Sequence, residues 1–508
     1  MSTPSSSRDS DAPAGGAPPT RIRAINDAPV REEGEFVLYW MVAHRRPHWN
    51  FALDRAVALA EALEKPLVVL EALRHGYRWA CDRFHAFVLE GMAAQADAFE
   101  GAPVLYYPFV EREDAPGTGL IEVLAERAAV IVSDDYPAFF LPQMHRAAAE
   151  KIAVRLELVD SNGVVPMRLP DTIFSRAYDF RRFLHKNLDA WVDDFPREAP
   201  FEGVTLRAIE GLGEAIESRW PRADESLLSA DRDALAALPI DHSIAPSEEL
   251  RGGWEKAEQR LKTFVDWRLD RYTDDRNEVE DGAASGLSPY LHFGHISPHA
   301  IFRAVAEREG WSPSDANPKH ASKRAGFWGM SPGAESFLDE LLSWREVGFN
   351  RCVFDPEGYD RYESLPDWAQ QTLAEHRDDA REHLYTLEEF AAGHTHDELW
   401  NAAQMELVHR GVMHNYLRML WGKKILHWSE SPEEALAIMI ELNNRYAIDG
   451  RDPNSYSGIF WVLGRYDRAW GPEREIFGKI RYMTSDSTRR KMKVDGYIER
   501  WAAEVEDA

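Results

Sequence analysis

The chain has 508 residues with a formal net charge of −27 at pH 7, and 44% of the residues are hydrophobic. This length exceeds the size of one ordinary hydrophobic core, which predicts two globular domains. No apolar run reaches the roughly 18 residues of a membrane-spanning helix. The only cysteines, Cys81 and Cys352, lie far apart in the sequence, which indicates a reducing cytoplasm and no disulfide framework.

The N-terminal residues 1–34 are rich in Ser, Pro, Ala and Gly. They contain no continuous apolar segment, so they lack the pattern of a secretory signal. A composition with so little apolar surface to bury predicts a disordered tail over residues 1–34.

Residues 35–168 alternate between short apolar runs and helical patterns. The runs are partly β-branched and bounded by Gly, Pro or charged residues, as is typical of strands. Helical patterns cover residues 50–63 and 81–99. Strands that alternate with helices predict an α/β domain with a doubly wound parallel sheet. The predicted strands are residues 36–43, 66–70, 103–109, 129–132 and 154–159.

The pattern weakens over residues 169–251, where Pro and acidic clusters predict a long interdomain connection with some helix. Apolar residues then recur at helical spacing, beginning with Trp254, Ala257 and Leu261. Residues 252–508 are therefore predicted to form an all-α domain. A Pro/Gly-rich insertion at residues 309–335 interrupts this domain, and no role for it follows from the sequence.

The stretch 398–483 combines apolar helices with many polar side chains. Buried polar groups without partners cost about 1–3 kcal/mol each, so this density of polar groups predicts a ligand pocket. Residues 445–493 also hold eleven Lys and Arg against six Asp and Glu. That local excess is compatible with DNA binding, and a solvated mixed-charge surface is the alternative.

Residues 285–297, SGLSPYLHFGHIS, place hydroxyls and glycines before an apolar helix. Ser285 or Ser288 is a candidate helix N-cap. The alternative is a phosphate site at the start of the helix, where free N–H groups bind anions. The sequence does not decide between the two.

These stretches resemble class II cyclobutane pyrimidine dimer photolyases, of the photolyase/cryptochrome family, over residues 35–501. The resemblance implies an N-terminal α/β domain and a C-terminal helical domain that holds FAD. It also implies light-driven splitting of pyrimidine dimers in DNA. It rests on YWM (39–41), SGLSPYLHFGHIS (285–297), FLDELLSWRE (337–346), LWNAAQ (399–404), GVMHNYLRMLWGKKILHW (411–428), IDGRDPNSYSGIFW (448–461) and IFGKIRYM (476–483).

The resemblance implies a set of FAD-binding residues. Arg418 and Asp449 match an ion pair beside the flavin ring, with a structural ion pair as the alternative. Asn443 matches an asparagine facing the flavin, and Asn444 is the weaker candidate because helix neighbours face different directions. An antenna chromophore, of the 8-hydroxy-deazaflavin type or another, is also implied for the α/β domain. The implied FAD-binding residues are Tyr272, Ser285, Leu287, Ser288, Arg418, Asn443 and Asp449.

Electron transfer is implied for Trp400, Trp421 and Trp428, with plain packing as the alternative. Trp421 and Trp428 are seven residues apart, which is two helical turns and therefore one face. Glu340 and Met419 match catalytic residues that contact the dimer. A protonated Glu340 would stabilise the dimer radical anion by donating a hydrogen bond, whereas a helix surface charge is the alternative.

The substrate is implied to be dimer-containing DNA. Trp344 and Trp461 match an aromatic pair that stacks on the flipped-out bases. The chain departs from the family pattern at Val412, Asn415 and Tyr466. The implied DNA-binding residues are Trp344, Trp461, Arg276, Arg468, Lys479 and Arg481.

The function expected from the resemblance is light-driven repair by a cytoplasmic monomer with FAD. A cryptochrome-like blue-light receptor without repair activity is the alternative, and a light-independent flavin-binding scaffold is a third possibility. The scaffold leaves the tryptophan series without a purpose. No metal site is expected.

Overall fold

The computed structural model describes residues 15–506, with side chains described up to residue 502. Its N-terminal part is a six-stranded sheet in the order β1-β6-β5-β2-β3-β4. Strands β2 to β6 pair in parallel, which confirms the five predicted strands. The strands are β1 (Ile22–Ala24), β2 (Phe36–Met41), β3 (Leu67–Leu73), β4 (Leu105–Val110), β5 (Ala128–Asp134) and β6 (Leu156–Val159).

Both faces of this sheet are buried. Along β2, Phe36, Leu38 and Trp40 belong to the large hydrophobic core shared with the helical domain. Val37, Tyr39 and Met41 alternate with them and belong to a second core against the first helix. Burial on both faces explains why these strands are continuous apolar runs. The helices of this domain are α1 (Phe51–Ala62), α2 (Asp82–Phe99), α3 (Leu120–Arg127) and α4 (Leu141–Ala149).

The predicted disordered tail is wrong for residues 15–34, and residues 1–14 lie outside the described part of the chain. Strand β1 pairs antiparallel with β6 at the edge of the sheet. The preceding Arg21 is buried, and its guanidinium donates to the carbonyls of Gly163 at 3.2 Å and Val164 at 2.6 Å. Backbone pairing and one buried cation therefore order a segment that has few apolar residues.

The connection at residues 169–251 contains four helices, and it is more than a surface loop. It buries Trp191 and Trp220 at 1% exposure each. The carbonyl of Trp220 accepts the hydroxyl of Tyr107 at 2.5 Å, which fixes the connection to β4. The helices are α5 (Ala177–Lys186), α6 (Glu214–Glu217), α7 (Glu225–Leu228) and α8 (Arg232–Ala236).

The remainder is helical, as predicted. Within residues 15–506, no helix has the length and apolar character needed to cross a membrane. The helices are α9 (Trp254–Trp267), α10 (Tyr272–Asp275), α11 (Ser288–His292), α12 (Pro298–Glu309), α13 (Pro332–Leu338), α14 (Arg345–Phe354), α15 (Asp367–Glu375), α16 (Leu387–Ala391), α17 (Glu398–Arg410), α18 (Asn415–Trp428), α19 (Pro432–Tyr446), α20 (Pro453–Val462), α21 (Ser485–Arg489) and α22 (Asp495–Glu506).

Two glycines bring three of these helices into close contact. A Cβ at Gly348 on α14 would lie 2.6 Å from the carbonyl oxygen of Pro453 at the start of α20. A Cβ at Gly422 on α18 would lie 2.6 Å from a methyl group of Val462 at the end of α20. Real Cβ atoms do not approach neighbours this closely, so both crossings require glycine. They hold α14, α18 and α20 close together.

Candidate active site

Glu340 lies in a single π-helical turn, Asp339–Trp344, which joins α13 to α14. Its Oε1 accepts from Nη1 of Arg276 at 2.6 Å, and the two side chains are 35% and 31% exposed. The pair is therefore partly open to solvent, and we call the surface around Glu340 and Trp344 in this turn the recess. Burial raises the pKa of Glu340, while Arg276 opposes this shift and Asp339 adds to it. A π turn inside a helix frequently marks a functional site.

The two predicted clamp residues, Trp344 and Trp461, are both half-buried. Trp344 ends the π turn, and the guanidinium of Arg324 lies 5.8 Å from its ring centre. Trp461 lies near the end of α20, between Nζ of Lys423 at 5.4 Å and the guanidinium of Arg481 at 5.5 Å. Met419 is also half-buried, on α18, which packs against α20.

Arginines and tryptophans alternate outward from Trp461. The guanidinium groups of Arg481 and Arg468 lie 5.3 and 4.5 Å from the ring centre of Trp470. The N–H of Trp470 donates to the carbonyl of Lys479 at 2.8 Å, which holds the two segments together. The sequence analysis missed Trp470, although its position two residues after Arg468 was a usable signal.

Lys479, by contrast, forms an ion pair with Glu473 at 3.0 Å, and both side chains are about half exposed. An exposed pair of this kind is worth at most about 1 kcal/mol. Lys479 is thus available to a phosphate only in competition with Glu473. Among the predicted basic residues, Arg468 and Arg481 have the stronger structural support.

The predicted flavin residues divide into two groups. Arg418 and Asp449 are paired at 3.1 Å; Arg418 is half-buried and Asp449 is buried. Asn443 donates from Nδ2 to the hydroxyl of Ser455 at 2.7 Å, which places its Oδ1 on the other side of the planar amide. Asn444 instead donates to Tyr456 at 3.0 Å and accepts the N–H of Arg451. The side chain of Asn444 therefore stabilises the local structure through these two hydrogen bonds.

The expected N-cap at Ser285 or Ser288 is wrong. Helix α11 begins at Ser288, its cap position is Leu287, and no side chain caps it. Ser285 instead accepts the N–H of Leu287 at 3.4 Å within a turn. Gly286 in that turn has φ of +67°, and a Cβ there would lie 2.6 Å from Arg260.

Arg260 was missed by the sequence analysis. It lies on α9, three residues after the buried Ala257 and four before the buried Phe264. A lone arginine on that inward face was the available signal. Tyr272, also among the predicted flavin residues, is buried nearby and contacts Phe264.

The three predicted electron-transfer tryptophans are brought together. The rings of Trp400 and Trp428 are 6.1 Å apart, centre to centre. Nε1 of Trp400 donates to the carbonyl of Trp421 at 3.0 Å. Trp428 is only 2% exposed, and Trp400 and Trp421 are buried as well. Tyr385 and His396 cover Trp428, at ring distances of 5.7 and 4.9 Å.

The departures from the family pattern have different settings. Asn415 is exposed at the first position of α18, and Val412 is half-buried. Tyr466 is buried, and its hydroxyl donates to the carbonyl of Val347 on α14 at 3.3 Å. Tyr466 therefore supports, from the interior, the helix that follows Trp344.

A second cavity of about 340 Å³ opens at the carboxyl ends of β2, β3 and β4. This is the edge of a parallel sheet where ligands usually bind. Its wall is largely aromatic, and His292 and Arg451 contribute from the helical domain. No group of three or more His, Cys, Asp or Glu within the described residues could hold a metal ion. The aromatic residues of the wall are Trp40, Tyr77, Phe109, Tyr136, Phe139, Phe140 and Phe293.

An α/β domain followed by a helical domain with an aromatic and acidic recess is the architecture of the photolyase fold. The chain aligns with a bacterial class III photolyase from Agrobacterium tumefaciens with a TM-score of 0.64, covering 93% of this chain and 87% of that one, at 18% identity. This likeness establishes the fold. No family model matches the sequence.

Curated relatives are more informative. The chain is 34% identical to a deoxyribodipyrimidine photo-lyase of Methanothermobacter thermautotrophicus, over 94% of this chain and 97% of the relative. It is 35% identical to one of Oryza sativa subsp. japonica, over 94% and 90%. The chain belongs to the deoxyribodipyrimidine photo-lyase family. Cryptochrome-2 of Arabidopsis thaliana matches less well, at 27% identity over 58% of the chain, so the receptor alternative is not favoured.

Proposed function

We propose that this protein is a class II photolyase that repairs cyclobutane pyrimidine dimers by light-driven electron transfer. The observation that carries the proposal is the π turn, which presents Glu340 paired with Arg276 and ends at the half-buried Trp344. Trp461, also half-buried, lies on α20, which packs against α14. A pair of aromatic walls suits two stacked, flipped-out bases. Arg276 donates to a dimer carbonyl, and Glu340 does the same when it is protonated, an event that its raised pKa favours.

FAD fits the neighbouring residues. The partly exposed Arg418 offsets negative charge on a flavin, and Asp449 holds its guanidinium in place. The amide of Asn443 is oriented by Ser455. The turn at Gly286, with Arg260 against it, offers hydroxyls and a cation to a pyrophosphate. Bound reduced FAD would supply the light-excited electron for splitting the dimer.

Trp421, Trp400 and Trp428 are proposed to relay electrons for photoreduction. Trp421 is three residues, and thus one helical turn, from Arg418 on α18. The indole N–H of Trp400 donates to the backbone carbonyl of Trp421, and the rings of Trp400 and Trp428 are 6.1 Å apart. Trp421→Phe is expected to abolish light-driven reduction of the bound flavin, followed by absorbance. Repair after chemical reduction should persist, and Trp267→Phe, at a position 77% exposed, is the control.

The aromatic cavity at the sheet edge is proposed to hold an antenna chromophore of the 8-hydroxy-deazaflavin type. Its volume of about 340 Å³ is in the usual range for a small-molecule site. Ala148 lines the cavity, and Ala148→Trp should fill it. Added 8-hydroxy-deazaflavin should then fail to bind, as measured by its fluorescence. Binding that is unchanged in Ala148→Trp would reject this assignment.

The deciding experiment is repair of a thymine-dimer oligonucleotide by the reduced protein, in blue light and in darkness. Repair in light alone, lost in Glu340→Ala and Trp461→Ala, is expected. A monomer is proposed to suffice, so activity should be proportional to protein concentration. A protein that binds FAD and photoreduces it but repairs nothing would reject the proposed function.

A further inference from the structure

A positively charged surface extends from the recess in a direction that the family resemblance does not assign. It combines the exposed face of α5 with residues 316–325 of the Pro/Gly-rich insertion. We call this surface the basic arm. Its members are Tyr178, Arg182, Lys186, Lys319, Lys323 and Arg324, all of which are exposed.

The two parts of the basic arm are fixed to each other. The ring of Phe327 in the insertion stacks on His185 of α5, with 3.6 Å between ring centres and an angle of 2°. The N–H of Ser322 donates to Nδ1 of the same histidine at 3.1 Å, and its hydroxyl donates to Tyr178 at 3.1 Å. The insertion is therefore held against α5 at a defined position.

The basic arm carries positive charges that are not balanced by ion pairs with acidic side chains. Between Asp315 and Glu335 the sequence contains no acidic residue. Within residues 15–502, none of the five cations of the arm belongs to an ion pair of 4.0 Å or less. Their neighbours on α5 are paired: Arg176 with Asp179, and Arg181 with Asp339. Five unpaired cations on a chain of net charge −27 indicate an anionic partner.

The arm is continuous with the recess. Arg181 of α5 forms a two-point ion pair with Asp339, the residue before Glu340 in the π turn. Arg324, at the other end of the arm, lies over the ring of Trp344. A chain that enters the recess and leaves past Trp344 would therefore reach the arm next.

We propose that the basic arm binds the phosphates of the DNA strand that carries the lesion, beyond the flipped-out dimer. This inference rests on the proposed function. Tyr178, Arg182 and Lys186 are spaced by four residues on one helix face, so the arm covers about 12 Å at 1.5 Å per residue. That length corresponds to three or four phosphates at about 3.4 Å per step. The half-exposed ring of Tyr178 offers a surface for a sugar or base.

The test is the salt dependence of binding to a duplex of about 20 base pairs with one thymine dimer. The variant Arg182→Gln/Lys186→Gln/Lys323→Gln removes three charges from the arm. Because each phosphate contact contributes about 0.9 to the slope of log affinity against log salt, the slope should become shallower by about 2 to 3. The affinity of the variant for the duplex near 0.1 M salt should fall at least about tenfold. This loss of affinity should be smaller with an oligonucleotide of about four nucleotides, because so short a strand does not extend to the arm.

The control variant Arg146→Gln/Arg232→Gln/Lys256→Gln removes the same charge from exposed positions on α4, α8 and α9. Its slope should stay within about 0.5 of the wild-type value. If the wild type repairs the dimer and both triple variants have the same slope, the arm is not a DNA contact, while the proposed function stands. A wild type that neither binds nor repairs dimer DNA would reject the proposed function, and the arm with it.

Discussion

Two carboxylates, Asp134 in the α/β domain and Glu340 in the helical domain, show how the two regions differ. Asp134 is fully buried, and its Oδ2 accepts the N–H groups of Val42, Ala43 and His44 at 2.7–2.9 Å. Its Oδ1 accepts the hydroxyl of Tyr39 at 2.7 Å. Burial alone would raise the pKa of Asp134, but His44 and the backbone donors outweigh it and hold the pKa well below its usual range.

Glu340 has the opposite setting. Its side chain is about one-third exposed, Arg276 is its cation partner, and burial raises its pKa. The comparison shows that a polar group whose hydrogen bonds are all made to other protein groups stabilises the backbone conformation around it. A polar group that keeps bonding capacity beside an open recess is available to a ligand. The same substitution at the two positions should therefore have opposite consequences.

The largest effect is expected for Asp134→Ala, which leaves three buried N–H groups without their acceptor. The free energy of unfolding should fall by about 3–5 kcal/mol, measured by urea unfolding at pH 7. Because the folded pKa lies below the unfolded value of about 3.9, this stabilisation is present above pH ~4 and is lost as the pH falls through the folded pKa. A loss of stability below about 1 kcal/mol would contradict the structural role given to Asp134.

Glu340→Ala should lower the rate of repair and leave the stability of the protein nearly unchanged. Removal of a preorganised group that stabilises developing charge typically costs about 10²–10³-fold in rate. The single-turnover rate of repair under saturating light should therefore fall by that factor. Stability should change by less than about 1 kcal/mol, because water can solvate Arg276. Glu388→Ala, at an exposed position on α16, is the control, and a rate loss below threefold at Glu340 would contradict its role.

Trp461→Ala should weaken binding of a dimer oligonucleotide by about 1–3 kcal/mol, the usual range for loss of one base-stacking surface. This corresponds to about 5- to 150-fold in the dissociation constant. Trp267→Ala is the matched control, since that indole is 77% exposed and lies on α9. Equal affinity losses in both variants would show that Trp461 acts through general stability and not as part of a clamp.

Lys423 sharpens the comparison because it is fully buried yet has a single protein acceptor, the carbonyl of Val462 at 2.5 Å. Burial lowers its pKa from 10.5 to about 7. Between these values the unfolded chain binds the proton and the folded chain does not, so raising the pH favours folding. Stability should rise by about 1 kcal/mol per unit from pH 7 to 9. Lys423→Met should flatten this rise, as measured by urea unfolding; an unchanged slope would assign it to another group.

The sequence predicts the interior of the α/β domain well. β-Branched runs such as β3 and β5 are buried on both faces, so their continuous apolar composition identifies them as strands without knowledge of their neighbours. Strand β1 could not be predicted in this way. It has three residues, includes the polar Arg23, and exists because β6 offers it an open edge.

Glu340, Trp461 and Asp449 could be named as candidates from the sequence because each belongs to a recognisable stretch. Arg260, Trp470 and the basic arm depend on which helices meet in space. For Trp470, the sequence offers the nearby Arg468, and the structure adds Arg481 at 5.3 Å from its ring. The roles of all of these residues remain predictions that the substitutions above address.

The order of the N-terminal segment has a practical consequence for shortened versions of the protein. Composition alone suggests that residues up to 34 can be trimmed without loss. Trimming past Arg21 and β1 would remove the donors to the carbonyls of Gly163 and Val164 and would leave β6 as an unpaired edge. Unpaired strand edges recruit other chains, so such a version should tend to aggregate during purification. Affinity tags are better placed before residue 15, where they leave this edge strand in position.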